Sequence, residues 1–499
     1  MSIKKKILSL LMSASVLLAF ASCAGSPSAA VTVGITQEPT TFDPHTVQAA
    51  GDEEIIFNIY EGLFRYDSEG NLNECLASGS DIKDSGDDYT FTVREGVKFH
   101  NGKDLTAADV AYSVKRAAGL LEGLDAPLIP ELANVKDCSV SGSSVNITLK
   151  SPDSDFLNLL TFGIVPEGSG DELAKKPVGT GPFSFVSYTV GVNVTLSAFA
   201  DYWRGKAAVD TAVFKIVADM DAGLLELQNG QIDIFPHFNT ERADQLDKDK
   251  FNTLSNGSNM VQIFALNNDR APLDNPKVRE AINLAVDRDT VIKQTMDGEG
   301  IPLYGPMSPS MGSYYNSALD GKYSRDVGKA KALLAEAGLA DGFELEITVP
   351  SEYLIHVNTA VELQSELKDA GIKVKIKQVD WSSWLSDTYN GRNFQSTVIA
   401  LTSEYAPYDV MNRYISDSSG NFINYKNEKV DEIMKKIPGE VDKEKRTEMY
   451  KEVQQLIADD HASCYLQDPN EIVAVSKKYE GYKVYPMYVQ DLYTVKPAG

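Results

Sequence analysis

Positive charge, cysteine and tryptophan are all scarce in this chain of 499 residues. There are 47 lysines and arginines against 71 aspartates and glutamates, with 4 cysteines and 3 tryptophans. A net charge of −24 repels phosphate backbones and anionic lipid headgroups, which argues against a nucleic-acid partner and against a basic surface anchor. Cys23, Cys75, Cys138 and Cys464 are scattered with no CxxC or CxxH spacing, so they form no zinc or redox motif, and sequence alone does not pair them. GxSxG, HExxH, GxxxxGK[ST] and GxGxxG are all missing, and with them the common hydrolase, zinc-protease and nucleotide-binding signatures. His45, His100, His237, His356 and His461 stand apart from one another. The nearest approach to a metal set is Asp459, Asp460, His461 and Cys464, but a passage from helix to strand within LIADDHASCYLQ makes those side chains diverge. No metal and no cofactor is expected.

What is present begins at the amino end. MSIKKK carries three lysines and no acid, and residues 7–22, ILSLLMSASVLLAFAS, carry no charge at all. This apolar run is short of the roughly 20 residues that span a bilayer, and small residues follow it, so 1–22 reads as an export signal. Its removal takes the net charge from −24 to −27. Ala21-Ser22-Cys23 resembles the lipobox of bacterial lipoproteins, with Phe20 where that pattern favours leucine. The resemblance implies a lipid on the Cys23 sulfur, with AGSPSAA completing a flexible leash over 23–30.

With 43% hydrophobic residues the remaining chain can bury several cores. VTVGI alternates as a strand, TQEPTTFDP is turn chemistry, and DEEIIFNIYEGLFRY has helical spacing. Residues 71–177 read as a small unit in which DYTFTVREGVKF and SSVNITLKS are strands and TAADVAYSVKRAAG is a helix, with Thr106 able to cap it and Asp109 in its first turn. Beyond it GTGPFSFVSYTVGVNVTLSAFADYW returns to alternating strands, and LLELQNG ends a helix at Gly230. NPKVREAINLAVDRDTVIKQTM reads as one long amphipathic helix. GKAKALLAEAGL then FELEITVP, and VELQSELKDAG then IKVKIKQVD, repeat helix, glycine stop and strand. The fold class is α/β, with a mixed or parallel sheet covered on its faces.

Several stretches taken together resemble the family 5 solute-binding proteins of ABC importers, the dipeptide- and oligopeptide-binding group. They are EPTTFDP (38–44), YEGLFRY (60–66), YTFTVREGVKFHNGKDLTAADVAYSVKR (89–116), GTGPFSF (179–185), LQNGQIDI (227–234), PLDNPKVREAINLAVDRDTVI (272–292) and NYKNEKVDEIM (424–434). The resemblance implies a bilobal, periplasmic-binding-protein-like fold of the large three-domain type. Domain I is discontinuous, over 31–66, 178–262 and 488–499, domain II is 67–177, and domain III is 263–487. The ligand is expected in a cleft between domains I and III. Arg94, Gly96, Asp109, Gly181 and Asp287 fall in family motifs that are structural.

The function so implied is capture of a small solute, short peptides first, outside the membrane. Delivery is to permease subunits driven by cytoplasmic ATPases, with the protein held to the bacterial surface or periplasmic face by its lipid alone and working as a monomer. Peptide-binding members hold the ligand's α-ammonium with an aspartate in a stretch resembling W-x-x-D-Y-x-D-P. Here LTSEYAPYDV, 401–410, puts Ala406 before Pro407 where that acid is expected. Glu404 or Asp409 then supplies the carboxylate from a shifted register, or the ligand is an oligosaccharide or metal chelate without an α-ammonium. The candidate ligand residues are Phe42, Trp384, Glu404, Tyr405, Asp409 and Asn421. Trp381 and Trp384, three apart, share a helical face that suits a ligand or a core. A ligand sensor and a secreted peptidase are the competing classes.

Overall fold

The computed structural model describes residues 29–499 apart from 48, 154 and 403–405. Residues 1–22, read as an export signal, and Cys23 with most of the stretch read as a leash lie outside the described residues, as do Glu404 and Tyr405.

A sheet of twelve strands runs through the molecule. Its order is Ile372–Val379, Phe343–Pro350, Ser396–Thr402, Met260–Leu266, Ser463–Ser476, Ile234–Phe238, Ala30–Ile35, Thr211–Ile216, Asn193–Ala198, Phe183–Thr189, and Phe251–Gly257 and Gly300–Pro302 also pair with Ser463–Ser476. Hydrogen bonding makes this one sheet, yet its apolar contacts divide it into two lobes. Val33, Phe214, Ile234 and Val473 share one core, whereas Phe264, Ile282, Ile347, Leu363 and Val398 share another. A separate four-stranded sheet, in the order Ala77–Ile82, Asp88–Val93, Ser144–Leu149, Val135–Ser141, packs its own core of Phe91, Phe99, Val114, Ile147 and Phe156. It forms a satellite within 67–177.

The strand Ser463–Ser476 joins the lobes. Gln467 pairs with Gln262 in the second lobe, while Asn470 pairs with Gly257 and Val475 with Ile234 in the first. The chain therefore returns to the first lobe inside this strand, upstream of residue 488 where the sequence reading places the return. Asp468-Pro469-Asn470 is turn chemistry, but backbone pairing continues on both sides and conceals the passage. The other crossing is Gly257–Asn259, between strands Phe251–Gly257 and Met260–Leu266.

Asp468 ties the two crossings. Its buried carboxylate accepts the backbone N–H groups of Ser258 at 3.0 Å, Asn259 at 3.2 Å and Met260 at 3.1 Å, and the hydroxyls of Ser258, Ser308 and Ser310. Gly257 is needed beside it, since a Cβ there would lie 2.7 Å from Asp468 Oδ2. An unpaired carboxylate at this depth would cost several kcal/mol, so the site is viable only because every approach is a donor.

Local signals explain most helices. Thr106 and Asp109 form a reciprocal capping box at the start of Ala107–Ala117. The stretch expected as one long helix is two, Pro276–Ala285 and Arg288–Met296, broken at Val286 with φ −94 and ψ 130. The break turns Arg288 inward, where its Nε donates to the carbonyls of Leu303 and Tyr465, both at 2.7 Å. Asp287 caps the second helix through the N–H of Thr290.

Candidate functional site

In open α/β sheets a crevice outside the carboxyl ends of the parallel strands is where small molecules are held. Ala30–Ile35 is parallel to Thr211–Ile216 and Ile234–Phe238, and Phe343–Pro350 is parallel to Ile372–Val379 and Ser396–Thr402. The strand Ser463–Ser476 is antiparallel to Ile234–Phe238 and to Met260–Leu266, and Met260 pairs with Thr402. Both lobes therefore aim their carboxyl-terminal strand ends at the level of residues 468–470. The walls of the crevice are the segments 36–44, 217–219 and 239–241 from the first lobe and 351–354, 380–384 and 406–409 from the second.

The second-lobe wall is an aromatic stack. Trp381 and Trp384 lie 5.1 Å apart with rings 6° from parallel, and Tyr353 meets Trp381 edge-on at 5.2 Å. Trp384 is the inner ring, buried and donating through Nε1 to Thr397 Oγ1 at 2.9 Å. Trp381 is half-buried, and Tyr353 and Leu354 are 43% and 71% exposed. Two carboxylates frame this outer layer. Glu352 accepts the N–H of Trp381 at 3.0 Å, and Asp380 accepts the hydroxyls of Ser382 and Ser383, each at 2.6 Å. The Trp381 N–H holds Glu352 below the usual carboxylate range, and the two serine hydroxyls hold Asp380 well below it. The wall pairs flat apolar surface with negative charge.

On the first-lobe side Glu38 accepts Tyr188 OH at 2.7 Å and the N–H of Gly191 at 2.5 Å, which keep it charged. His237 is clamped between two acids, Nε2 2.7 Å from Glu54 and Nδ1 3.1 Å from Glu471. Burial opposes the imidazolium, but hydrogen bonds to Glu471 and Glu54 outweigh it and push His237 up to about 10. It stacks at 4.5 Å on Tyr488, which is 45% exposed.

The ligand residues expected from the sequence occupy different settings. Asp409 lies in the first turn of the helix Pro407–Asn412 with its side chain open to solvent on one side, its carboxyl raised by partial burial, with Arg413 opposing and Glu131 adding. Phe42 is buried against Phe185 at 5.1 Å and Tyr188 at 5.5 Å, leaving no ring face for a solute. Asn421 is buried with its amide donating to Ile415 and Tyr425 carbonyls and its oxygen accepting from Tyr425 N, so its polar capacity is spent on a turn. The outward residues are Tyr353, Leu354, Trp381 and Tyr488, none of them among the ligand residues expected from the sequence. The W-x-x-W spacing located the stack but not which ring faces the crevice.

Among the described residues no cluster of three or more His, Cys, Asp or Glu suits a metal ion. Cys75, Cys138 and Cys464 are free and buried, and burial pushes the Cys138 and Cys464 thiols up to about 12 and 11, far from thiolate nucleophiles.

A family model described as bacterial extracellular solute-binding proteins, family 5 Middle, matches residues 71–422. The oligopeptide-binding protein AppA of Bacillus subtilis (strain 168) is 29% identical over 497 residues, covering 93% of this chain and 90% of that protein. The glutathione-binding protein GsiB of Salmonella typhi is 30% identical over 477 residues, covering 91% and 92%. HbpA2 from Haemophilus parasuis matches in structure with a TM-score of 0.85 at 24% identity, over 94% of this chain and 100% of that one. AppA in complex with a nonapeptide matches at 0.67 and 26% identity, over 95% and 100%.

Proposed function

Because this chain belongs to family 5 of the bacterial extracellular solute-binding proteins, we propose that it captures short peptides outside the membrane and delivers them to an ABC permease driven by cytoplasmic ATPases. The observation that carries the reading is the crevice between two lobes joined by two backbone crossings, with an aromatic wall for side chains and the acid-bearing helix start 406–409 at its edge. AppA and GsiB, whose names state oligopeptide and glutathione binding, support peptide as the solute class. No catalytic role is proposed.

Capture works by rotation of the lobes about the crossings at 257–259 and 468–470, the solute stabilising the closed setting by contacts it makes only there. The peptide α-ammonium needs a carboxylate, because a desolvated unpaired charge costs several kcal/mol or more. With Ala406 before Pro407, we assign that role to Glu404 or Asp409. Trp381 and Tyr353 receive apolar side chains. We further propose export through 1–22, tethering by lipid on Cys23 and a monomeric receptor, with domain II as the satellite of 67–177. Cys23→Ser is expected to move the protein from the membrane fraction to the medium or periplasm, and fatty-acid labelling that persists in this variant would refute the tether.

A second reading is favoured by Ala406 itself: a solute without an α-ammonium, such as an oligosaccharide or a metal chelate, needs no aspartate there. Native mass spectrometry of the purified protein separates the two. Co-purified short peptides, with affinity lost in Glu404→Gln or Asp409→Asn, support the peptide reading. A chain indifferent to peptides that is stabilised by a sugar or chelate overturns it.

A further inference from the structure

The satellite and the second lobe also meet away from the two crossings, and a buried acid closes that contact. Asp155 is 5% exposed and opens the turn Phe156–Thr161, which packs in the satellite core. Its Oδ2 accepts the backbone N–H of Tyr408 at 2.7 Å and the hydroxyl of Tyr450 at 3.0 Å, both from the second lobe. Arg446, on the same helix as Tyr450, is also 5% exposed and donates to the Glu440 carbonyl at 2.9 Å. Among the described residues Asp155 Oδ1 and Arg446 Nε have no hydrogen-bond partner. One carboxylate oxygen thus carries two interlobe bonds while the other carries none, so a proton can be added without breaking either.

We propose that Asp155 is a proton-responsive strut between the lobes: neutral, it holds the lobe setting described here, and ionised, it favours release into water.

The groups facing it are consistent on every side. Asp153, Tyr89 and Tyr66 approach from the satellite and first lobe, Tyr408 from the helix Pro407–Asn412, Arg446 and Tyr450 from Lys443–Asp459, and Tyr314 from the turn Pro309–Tyr314, with Asp409 beyond Asp153. Burial raises Asp155 from 3.8 to about 6, with Tyr408 N–H, Tyr450 and Arg446 opposing and Asp153 adding. Burial raises Asp153 and Asp409 as well. An acid near 6 in the contact and near 3.8 in water takes up a proton when the contact forms. The contact therefore strengthens as pH falls through 6, by about tenfold in the lobe equilibrium between pH 8 and pH 5. Since the proposed function uses the same lobes, and this consequence rests on that reading, solute affinity acquires a pH slope through Asp155.

The test needs no solute. Spin labels on Val190→Cys in the first lobe and Val361→Cys in the second, positions 74% and 53% exposed, report lobe separation in the full chain with Cys23→Ala removing a competing thiol. The separation distribution is expected to shift toward one setting between pH 8 and pH 5. Asp155→Asn, always neutral, should give the pH 5 distribution at every pH. Tyr450→Phe removes a donor that favours the ionised form, so its midpoint should move to higher pH while the response persists, which a merely structural role would not produce. A wild-type distribution that is flat with pH, or an Asp155→Asn response equal to wild type, overturns the strut and leaves the solute-binding reading untouched.

Discussion

Replacing Asp468 by alanine should loosen both interlobe crossings at once. The carboxylate is fully buried and accepts three backbone N–H groups, of Ser258, Asn259 and Met260, and three serine hydroxyls. The hydroxyls can rotate to new partners, but the three N–H groups are fixed by the backbone. Ser258 N–H keeps the Pro469 carbonyl at 3.1 Å, so the loss falls on the N–H groups of Asn259 and Met260, at about 1–3 kcal/mol each. Removing the carboxylate also removes its own desolvation cost, which offsets part of this. Loss of one side of a buried charged network is typically about 3–5 kcal/mol, and that is the net effect expected here. Because a chain of several cores does not unfold in a single step, the assay should be local. Amide hydrogen exchange at 259 and 260 should accelerate by roughly 10²–10³, as each 1.4 kcal/mol is a factor of ten. Exchange within threefold of wild type at these amides would refute the reasoning, since it would mean that water or the serines replace the carboxylate without cost.

Three further outcomes follow from the packing. Trp384→Ala should lower stability in urea by about 3–5 kcal/mol as a core cavity, whereas Trp381→Ala should cost about 1 kcal/mol yet weaken solute binding at least tenfold by calorimetry; equal effects from the two would remove the inner and outer assignment. His237 has a folded value of about 10 against an ordinary 6.5, so its contribution is fully present below pH 6.5 and is lost as pH rises through 10; of that, about 3 kcal/mol remains at pH 7.5, and His237→Gln should lower Tm there and flatten the alkaline loss. Arg116→Ala leaves Asp43 buried without its bidentate partner, whose two nitrogens lie 2.9 and 2.5 Å from the carboxylate, and should cost about 3–5 kcal/mol in chemical denaturation.

Legibility in the sequence tracked how local each interaction is. The Thr106 and Asp109 capping box lies within four residues and could be read directly. The alternating runs FELEITVP and IKVKIKQVD became the strands Phe343–Pro350 and Ile372–Val379. The tie between Asp468 and residues 258–260 spans more than 200 positions, and no periodicity announces it. The same distance effect hid Phe42, while Asn421 was hidden by a local turn that has no periodicity. Each is a residue type that suits a cleft, but Asn421 is consumed by Ile415 and Tyr425 and Phe42 by Phe185 and Tyr188. Arg288 misled in the opposite sense: its helical spacing continues the preceding helix, while its burial against the Leu303 and Tyr465 carbonyls requires the chain to break first.

The lateral tie also decides what kind of motion the lobes can make. Two crossings free of each other would permit shear as well as rotation, and solute contacts would then be spread over both. Here the backbone amides of one crossing are bound to a carboxylate on the other, and Ser258 N–H also reaches the Pro469 carbonyl at 3.1 Å. The two segments must therefore move as a unit, with φ/ψ changes confined to their flanks. Asn259 already sits at φ 58, a left-handed setting that asparagine tolerates better than most residues. A hinge restricted to rotation directs solute contact energy into closure, and a strut such as Asp155, lying off the hinge axis, then acts with leverage on the same single coordinate.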